Sequence, residues 1–218
     1  TDYRYGDQLS VALQENQLQT TSLFEEYMQF GGYPQVILAA DAEEKYKVLN
    51  EIYQSYLMRD ISFFLGVEKT DAFTNLTQLL AEKVGNLVAV SELASTLGIS
   101  VSTIKHYLWY LEKTYIIHRV PPYFTNARKE ITKMPVFYFY DLGMRNFARR
   151  AGIMSKLIDG FLFENFIFLM LQKTCSDSAS PLRFWRSKSG AEVDFVVDRG
   201  NRGGGSGQEE VLLMTGQA

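Results

Sequence analysis

Two acids at alternating positions, Glu192 and Asp194, stand in the run RFWRSKSGAEVDFVVDRG, residues 183–200. Side chains alternate across a strand, so both project from one face. A third acid, Glu164, lies in GFLFENFIFLMLQK, where residues 161–171 are apolar apart from Glu164 and Asn165. A helix apolar on every side is expected to be buried, and a carboxylate on it must then take a proton, a cation or a metal ion. Glu164 and Asp194 supply two of the oxygen ligands that a magnesium-dependent hydrolase uses to hold its ion and orient water. The alternative is structural, with Glu164 bridging to Arg183, Arg186 or Lys188. Hydrolytic cores of this type place an acid and a lysine two apart on the next strand, and EEVLLMTGQA is the candidate run. Glu210 in the acid position puts Leu212 where lysine belongs, and Thr215 in the lysine position puts Leu213 where the acid belongs. No lysine follows Lys188. The metal site therefore reads as incomplete.

A second set of groups suits a phosphate backbone and base edges. In SVSTIKHYLWYLEKTYII, Ile104, Leu108, Leu111 and Tyr115 share one helical face, with Ser100 as the cap. The other side offers Ser102, Thr103, Lys105, His106, Tyr110 and Lys113, and the polar run TNARKEITK adds Arg128, Lys129 and Lys133 for phosphates. Two readings stay open: this face enters a DNA groove, or it is a solvated surface and the domain only packs against neighbours. His118, in an apolar strand, reads as a satisfied core or edge residue.

The elements around these groups divide the chain. SLFEEYMQFGGYP opens with a capping-box pattern, Ser22 with Glu25, and stops at Gly31-Gly32 before Pro34 starts a short helix. DAEEKYKVLNEIYQSYLMRDISFFLG repeats it, with Asp41 as cap, Leu49, Ile52, Tyr53, Tyr56, Ile61 and Phe64 at helical spacing, and Gly66 as the stop. DAFTNLTQLLAEKVG, VSELASTLGI (capped at Ser91, stopped at Gly98) and the helix after Ser100 make three in succession. The β-rich runs IIHRVPPYF and MPVFYFYD follow. Three helices and then a ribbon is the order of a winged helix-turn-helix domain. The run GNRGGGSGQ, with five Gly and one Ser in nine residues, is linker chemistry.

Composition limits the functions. Apolar residues at 46% allow buried cores and argue against disorder. A single cysteine, Cys175, excludes a disulfide framework and a cysteine-based zinc site, and suits a reducing cytoplasm. The longest apolar run falls far short of the ~20 residues of a membrane span, so no membrane partner is expected. Residues 1–70 carry five Lys/Arg against eleven Asp/Glu, 71–141 seven against six, and 142–218 ten against eight. No segment is strongly basic, so any contact with nucleic acid must be local.

FEEYMQFGGYPQVIL, IYQSYLMRDI and LASTLGISVSTIKHYLWYLEKTYII…MPVFYFYDLGMRN, extended by GFLFENFIF and FWRSKSGAEVDFVV, resemble a known arrangement. It is the C-terminal half of a large group of prokaryotic AAA-like P-loop ATPases, a widespread domain of unknown function. The resemblance implies a helical segment over 1–70, a winged helix over 71–147 and a partial PD-(D/E)xK nuclease-like region over 148–200. Composition adds a Gly-rich tail over 201–218, either a native loop or a non-native addition. The fold class is α+β, mainly helical. Glu164 and Asp194 match the nuclease-like acids, and the N-terminal ATPase domain is an implied partner. ATP and Mg belong to the full-length parent, and a divalent metal to the nuclease-like site. Nothing here fits G-x-x-x-x-G-K-[ST], so the chain is expected to hold no cofactor of its own and to lack ATPase activity. The leading expectation is a DNA-contacting, regulatory portion of an ATPase. A metal-dependent nuclease and a protein-interaction module are the alternatives.

Overall fold

A computed structural model describes residues 17–55, 70–123, 133–150, 152, 159–175, 182–187, 189–198 and 211–214. The fold is mixed α+β and mostly helical. Helix α1 (Gln17–Phe30) starts upstream of Ser22, so Ser22 lies within the helix and is no cap. It ends where Gly31 takes a φ of +76°, a left-handed turn that favours glycine. Pro34 then opens α2 (Pro34–Ile37), and Asp41 caps α3 (Ala42–Ile52) by accepting from the Glu44 amide at 2.9 Å. Glu44 reaches back to the Ala40 amide at 2.7 Å, which completes the reciprocal cap one residue further out than the pattern predicts. Tyr56, Ile61, Phe64 and Gly66 lie outside the described residues.

Three helices come next: α4 (Thr70–Glu82), α5 (Val90–Leu97) and α6 (Val101–Lys113). The cap position of α5 is Ala89, which makes no side-chain bond, so Ser91 sits inside the first turn. Gly98 closes that helix in the left-handed region, and Ser100 caps α6 by accepting from the Thr103 amide at 3.0 Å. An antiparallel ribbon follows, β1 (Ile117–Val120) against β2 (Val136–Phe139), with Ile117 opposite Phe139. All four residues of β2 are buried.

A helix that periodicity had not flagged, α7 (Leu142–Ala148), begins right after the ribbon. Its Asp141 cap accepts from the Met144 amide at 2.8 Å and from the Gly32 amide at 2.7 Å. Asn146 donates to the Met28 and Gln29 carbonyls, both at 3.0 Å. These carbonyls lie in the last turn of α1, where the run of helical amide partners ends. Two glycines allow the approach. A Cβ on Gly31 would fall 2.3 Å from Asp141 Oδ1, and one on Gly143 would fall 1.9 Å from the Phe30 carbonyl oxygen.

Helix α8 (Gly160–Cys175) leads to a three-stranded antiparallel sheet of β3 (Leu182–Arg186), β4 (Glu192–Asp198) and β5 (Val211–Met214), in that order. Strand β5 lies in the segment read as a tail and pairs with β4, Phe195 opposite Met214. The register of β3 against β4 shifts between Arg183 and Trp185. The sheet joins the ribbon through the chain after β1: the Tyr123 amide donates to the Phe184 carbonyl at 2.6 Å, and Pro122 pairs with Phe184. One apolar cluster runs through Phe73, Leu111, Phe137, Phe168, Phe184 and Phe195, so ribbon, helices and sheet share a core.

Burial of α8 differs from the expectation. Leu162, Asn165 and Phe168 face inward, whereas Phe161, Phe163 and Met170 are 43%, 46% and 42% exposed. Apolar residues surround this helix, but among the described residues the core covers only the side of Leu162, Asn165 and Phe168. Among the described residues no helix is long and apolar enough to cross a membrane.

Candidate functional site

The outer face of α6 carries Ser102, Lys105, His106 and Lys113, all exposed as the spacing predicts. Thr103 is half-buried, and its hydroxyl is engaged with Ser100 Oγ at 2.8 Å. Tyr110 does not join this face. It is 8% exposed and sets its ring edge-on to Phe73 at 6.4 Å, because α4 offers an aromatic surface on that flank. Trp109 takes its place, 55% exposed. Residues 102, 105, 106, 109 and 113 recur at helical spacing, so Trp109 sits among two lysines, a histidine and a serine. Its helical spacing from Ser102 would have placed Trp109 on this face. Lys133 is exposed, while Arg128 and Lys129 lie outside the described residues.

His118 is held inside, with Nδ1 at 2.7 Å from the Tyr140 hydroxyl and its ring tilted over Phe168 at 5.2 Å. Burial lowers its pKa, so it stays neutral near pH 7.

Around Glu164, helix α8 packs on β2 and β3, and the charges of Asp194 and Glu192 on β4 reach it. The Tyr138 hydroxyl donates to Glu164 Oε1 at 2.6 Å. Tyr138 is 1% exposed, and its ring stacks on Phe168 at 4.8 Å. Gly85 takes a φ of +73°, and a Cβ there would lie 2.5 Å from Glu164 Oε1. Arg186 donates to the Gly85 carbonyl at 3.0 Å and pairs with Glu192 at 2.8 Å, its cross-strand neighbour. The structural bridge foreseen for Glu164 thus takes another form: a tyrosine hydroxyl bonds the acid, while Arg186 pairs with Glu192 and stabilises Glu164 through its charge. Lys188 lies outside the described residues.

Burial raises the Glu164 pKa from 4.5 to about 6. The Tyr138 hydrogen bond and Arg186 hold it down, while the charges of Asp194 and Glu192 push it further up. Tyr138 in turn is raised well above 10, first by burial and then by Glu164, so it remains a donor. An acid with a pKa of about 6 can hold or release a proton near neutrality. The charge of Asp194 thus bears on the proton affinity of Glu164. Among the described residues, however, no three His, Cys, Asp or Glu side chains form a group able to hold a metal ion. Glu210 is not among them.

Next to Glu164, Asn165 does work that composition did not reveal. It is fully buried; its Oδ1 accepts from the Phe139 amide at 2.8 Å and its Nδ2 donates to the Phe139 carbonyl at 2.8 Å. The side-chain amide thereby serves β2 as a neighbouring strand would. A lone amide in an apolar helix was the available signal, since a buried amide must find partners.

Residues 21–155 match the model of a domain of unknown function, DUF8612, and residues 159–204 match a second one, DUF4143. An uncharacterized protein of Haemophilus influenzae is 27% identical over 184 residues, covering 80% of this chain and 43% of that protein. One of Mycobacterium bovis is 27% identical over 184 residues, with 79% and 40% covered. One of Methanocaldococcus jannaschii is 26% identical over 177 residues, with 79% and 38% covered. The chain thus spans about two-fifths of the length of the curated relatives it matches. No solved structure matches it.

Proposed function

Given that the chain belongs to the DUF8612 family of domains of unknown function, we propose that it is a DNA-contacting, regulatory portion of a longer P-loop ATPase. The observation that carries this reading is the outer face of α6. It presents Ser102, Lys105, His106, Trp109 and Lys113 together, and the ribbon whose loop brings Lys133 follows at once. Lysines give phosphate contact and set register, while serine, histidine and tryptophan suit base edges and methyl groups. The greater length of the relatives supports a parent with further domains. ATP and Mg would bind in that remainder, and this chain would respond to it without catalysing a reaction of its own.

Fluorescence anisotropy with a labelled duplex tests the reading. Binding should be strong at about 50 mM salt and weaken steeply by about 200 mM, as counterions are released. Lys105→Ala and Lys113→Ala should each lower the salt slope by about 1. Absence of binding at the lower salt removes the proposal.

The charge of Asp194, which acts on the buried Glu164, favours one second reading, a metal-dependent nuclease. Its third ligand would be Glu210 or a group from another chain. Plasmid cleavage with Mg or Mn, abolished in Asp194→Asn, supports it; no cleavage with either ion rejects it.

A further inference from the structure

A cleft of about 750 Å³ opens on the side of the fold where α1 and α2 meet the end of α6 and the start of α7. Four tyrosines line it, Tyr27, Tyr33, Tyr115 and Tyr140, with Pro34 and the carboxylate-bearing Asp141. None of the described lining residues carries a positive charge.

Tyr115 is the odd member. It stands just past the end of α6 with a φ of +56°. The Ile116 amide bonds the Leu111 carbonyl at 3.0 Å, and the Tyr115 amide bonds the Glu112 carbonyl at 3.3 Å. That bonding pattern ends a helix with a left-handed residue, a place glycine fills without strain and a tyrosine does not. The ring is 70% exposed and sits edge-on to Tyr140 at 5.6 Å. Folding alone would be served better by glycine, so the ring itself is what the position supplies to the cleft.

The lining selects among ligands. Among the described lining residues, a phosphate-bearing molecule would face a carboxylate and no cation. Tyrosine faces carry negative charge at their centres, and a nearby carboxylate adds to it, so the cleft suits a cation. A free guanidinium or alkylammonium ion would leave most of 750 Å³ wet, with Tyr115 open to solvent beside it. We infer that this cleft receives a basic, extended protein segment, which lays an arginine or lysine side chain against the tyrosine faces, its charge on the side of the buried Asp141, whose two oxygens stay with the Gly32 and Met144 amides. This goes beyond DNA contact by α6 and does not depend on it.

The probe is a fluorescein-labelled Gly-Gly-Arg-Gly-Gly peptide titrated with the full chain by anisotropy, against the same peptide carrying uncharged citrulline. The arginine peptide should bind saturably, and citrulline should weaken binding at least about tenfold. Tyr115→Gly should also weaken it about tenfold, while melting no lower than the parent, because glycine relieves the backbone. Unlabelled arginine amide should displace the peptide only at far higher concentration than the unlabelled peptide does. Equal affinity for the arginine and citrulline peptides, or no saturable binding, overturns the inference. So does full binding by Tyr115→Gly, or displacement by arginine amide as efficient as by the peptide.

Discussion

Replacing Glu164 with glutamine should stabilise this protein at neutral pH, and the size of the gain follows from the acid's surroundings. The carboxyl titrates at 4.5 when exposed and at about 6 in the fold, chiefly through burial. A raised acid means that the folded state holds the proton more tightly than the unfolded one. Stability from this group is therefore fully retained below pH 4.5 and is lost as pH rises through 6. The loss levels off near pH 7 at about 2 kcal/mol, since each pKa unit is worth about 1.4 kcal/mol. Glutamine keeps the shape and the oxygen that accepts from Tyr138, and it cannot ionise. Urea unfolding of both proteins from pH 4 to pH 7.5 should give stability curves that diverge by about 2 kcal/mol across that window. In chains of this size the divergence is worth about 4–8 °C in melting temperature. Any constant offset from the amide cancels, because the change with pH is compared. Parallel curves, or a glutamine variant that loses ground as pH rises, would refute the reasoning about burial.

Asn165→Ala should cost about 2–5 kcal/mol, because the Phe139 amide and carbonyl are both left buried and unpaired. Hydrogen exchange at the Phe139 amide should accelerate while α4 amides are spared, and a loss under about 1 kcal/mol would mean that water replaces the amide. Gly143→Ala drives a Cβ to 1.9 Å from the Phe30 carbonyl, backbone that no rotamer change can move. Limited proteolysis should then cut near residues 17–30 much faster, whereas Gly98→Ala, with open space around it, should cost only about 1–2 kcal/mol of left-handed strain.

Local chemistry was readable wherever a residue acted on its own neighbours. Asp41 and Ser100 cap helices as their spacing predicts, and Gly31 and Gly98 end them. Periodicity also predicted the two strands of the ribbon and the inward turn of Ile104, Leu108 and Leu111 on α6, but not Tyr115, which lies past the end of that helix and is 70% exposed. It failed where distant segments decide. Ser22 and Ser91 look like caps, but their helices start earlier because the backbone upstream is already helical. Tyr110 looks outward by spacing and turns inward because Phe73 is there. Glu164 was legible as a misplaced acid, yet its partner Tyr138 and its close neighbour Gly85 lie 26 and 79 positions away and leave no local mark. Strand β5 follows a glycine-rich run that reads as linker, and only pairing with β4 identifies it as part of the sheet.

Adjacent residues of α8 grip adjacent residues of β2: Glu164 takes the Tyr138 hydroxyl and Asn165 takes the Phe139 backbone. The second grip works like a hinge pin and the first like a contact switch. A shift of β2 that parted Tyr138 from Glu164 would leave the strand held by the two amide bonds of Asn165. Glu164 would then lose the donor that steadies its charge and would draw a proton from solvent. Movement of β2 against α8 would in this way be reported at the acid, as an exchange of protons with the medium.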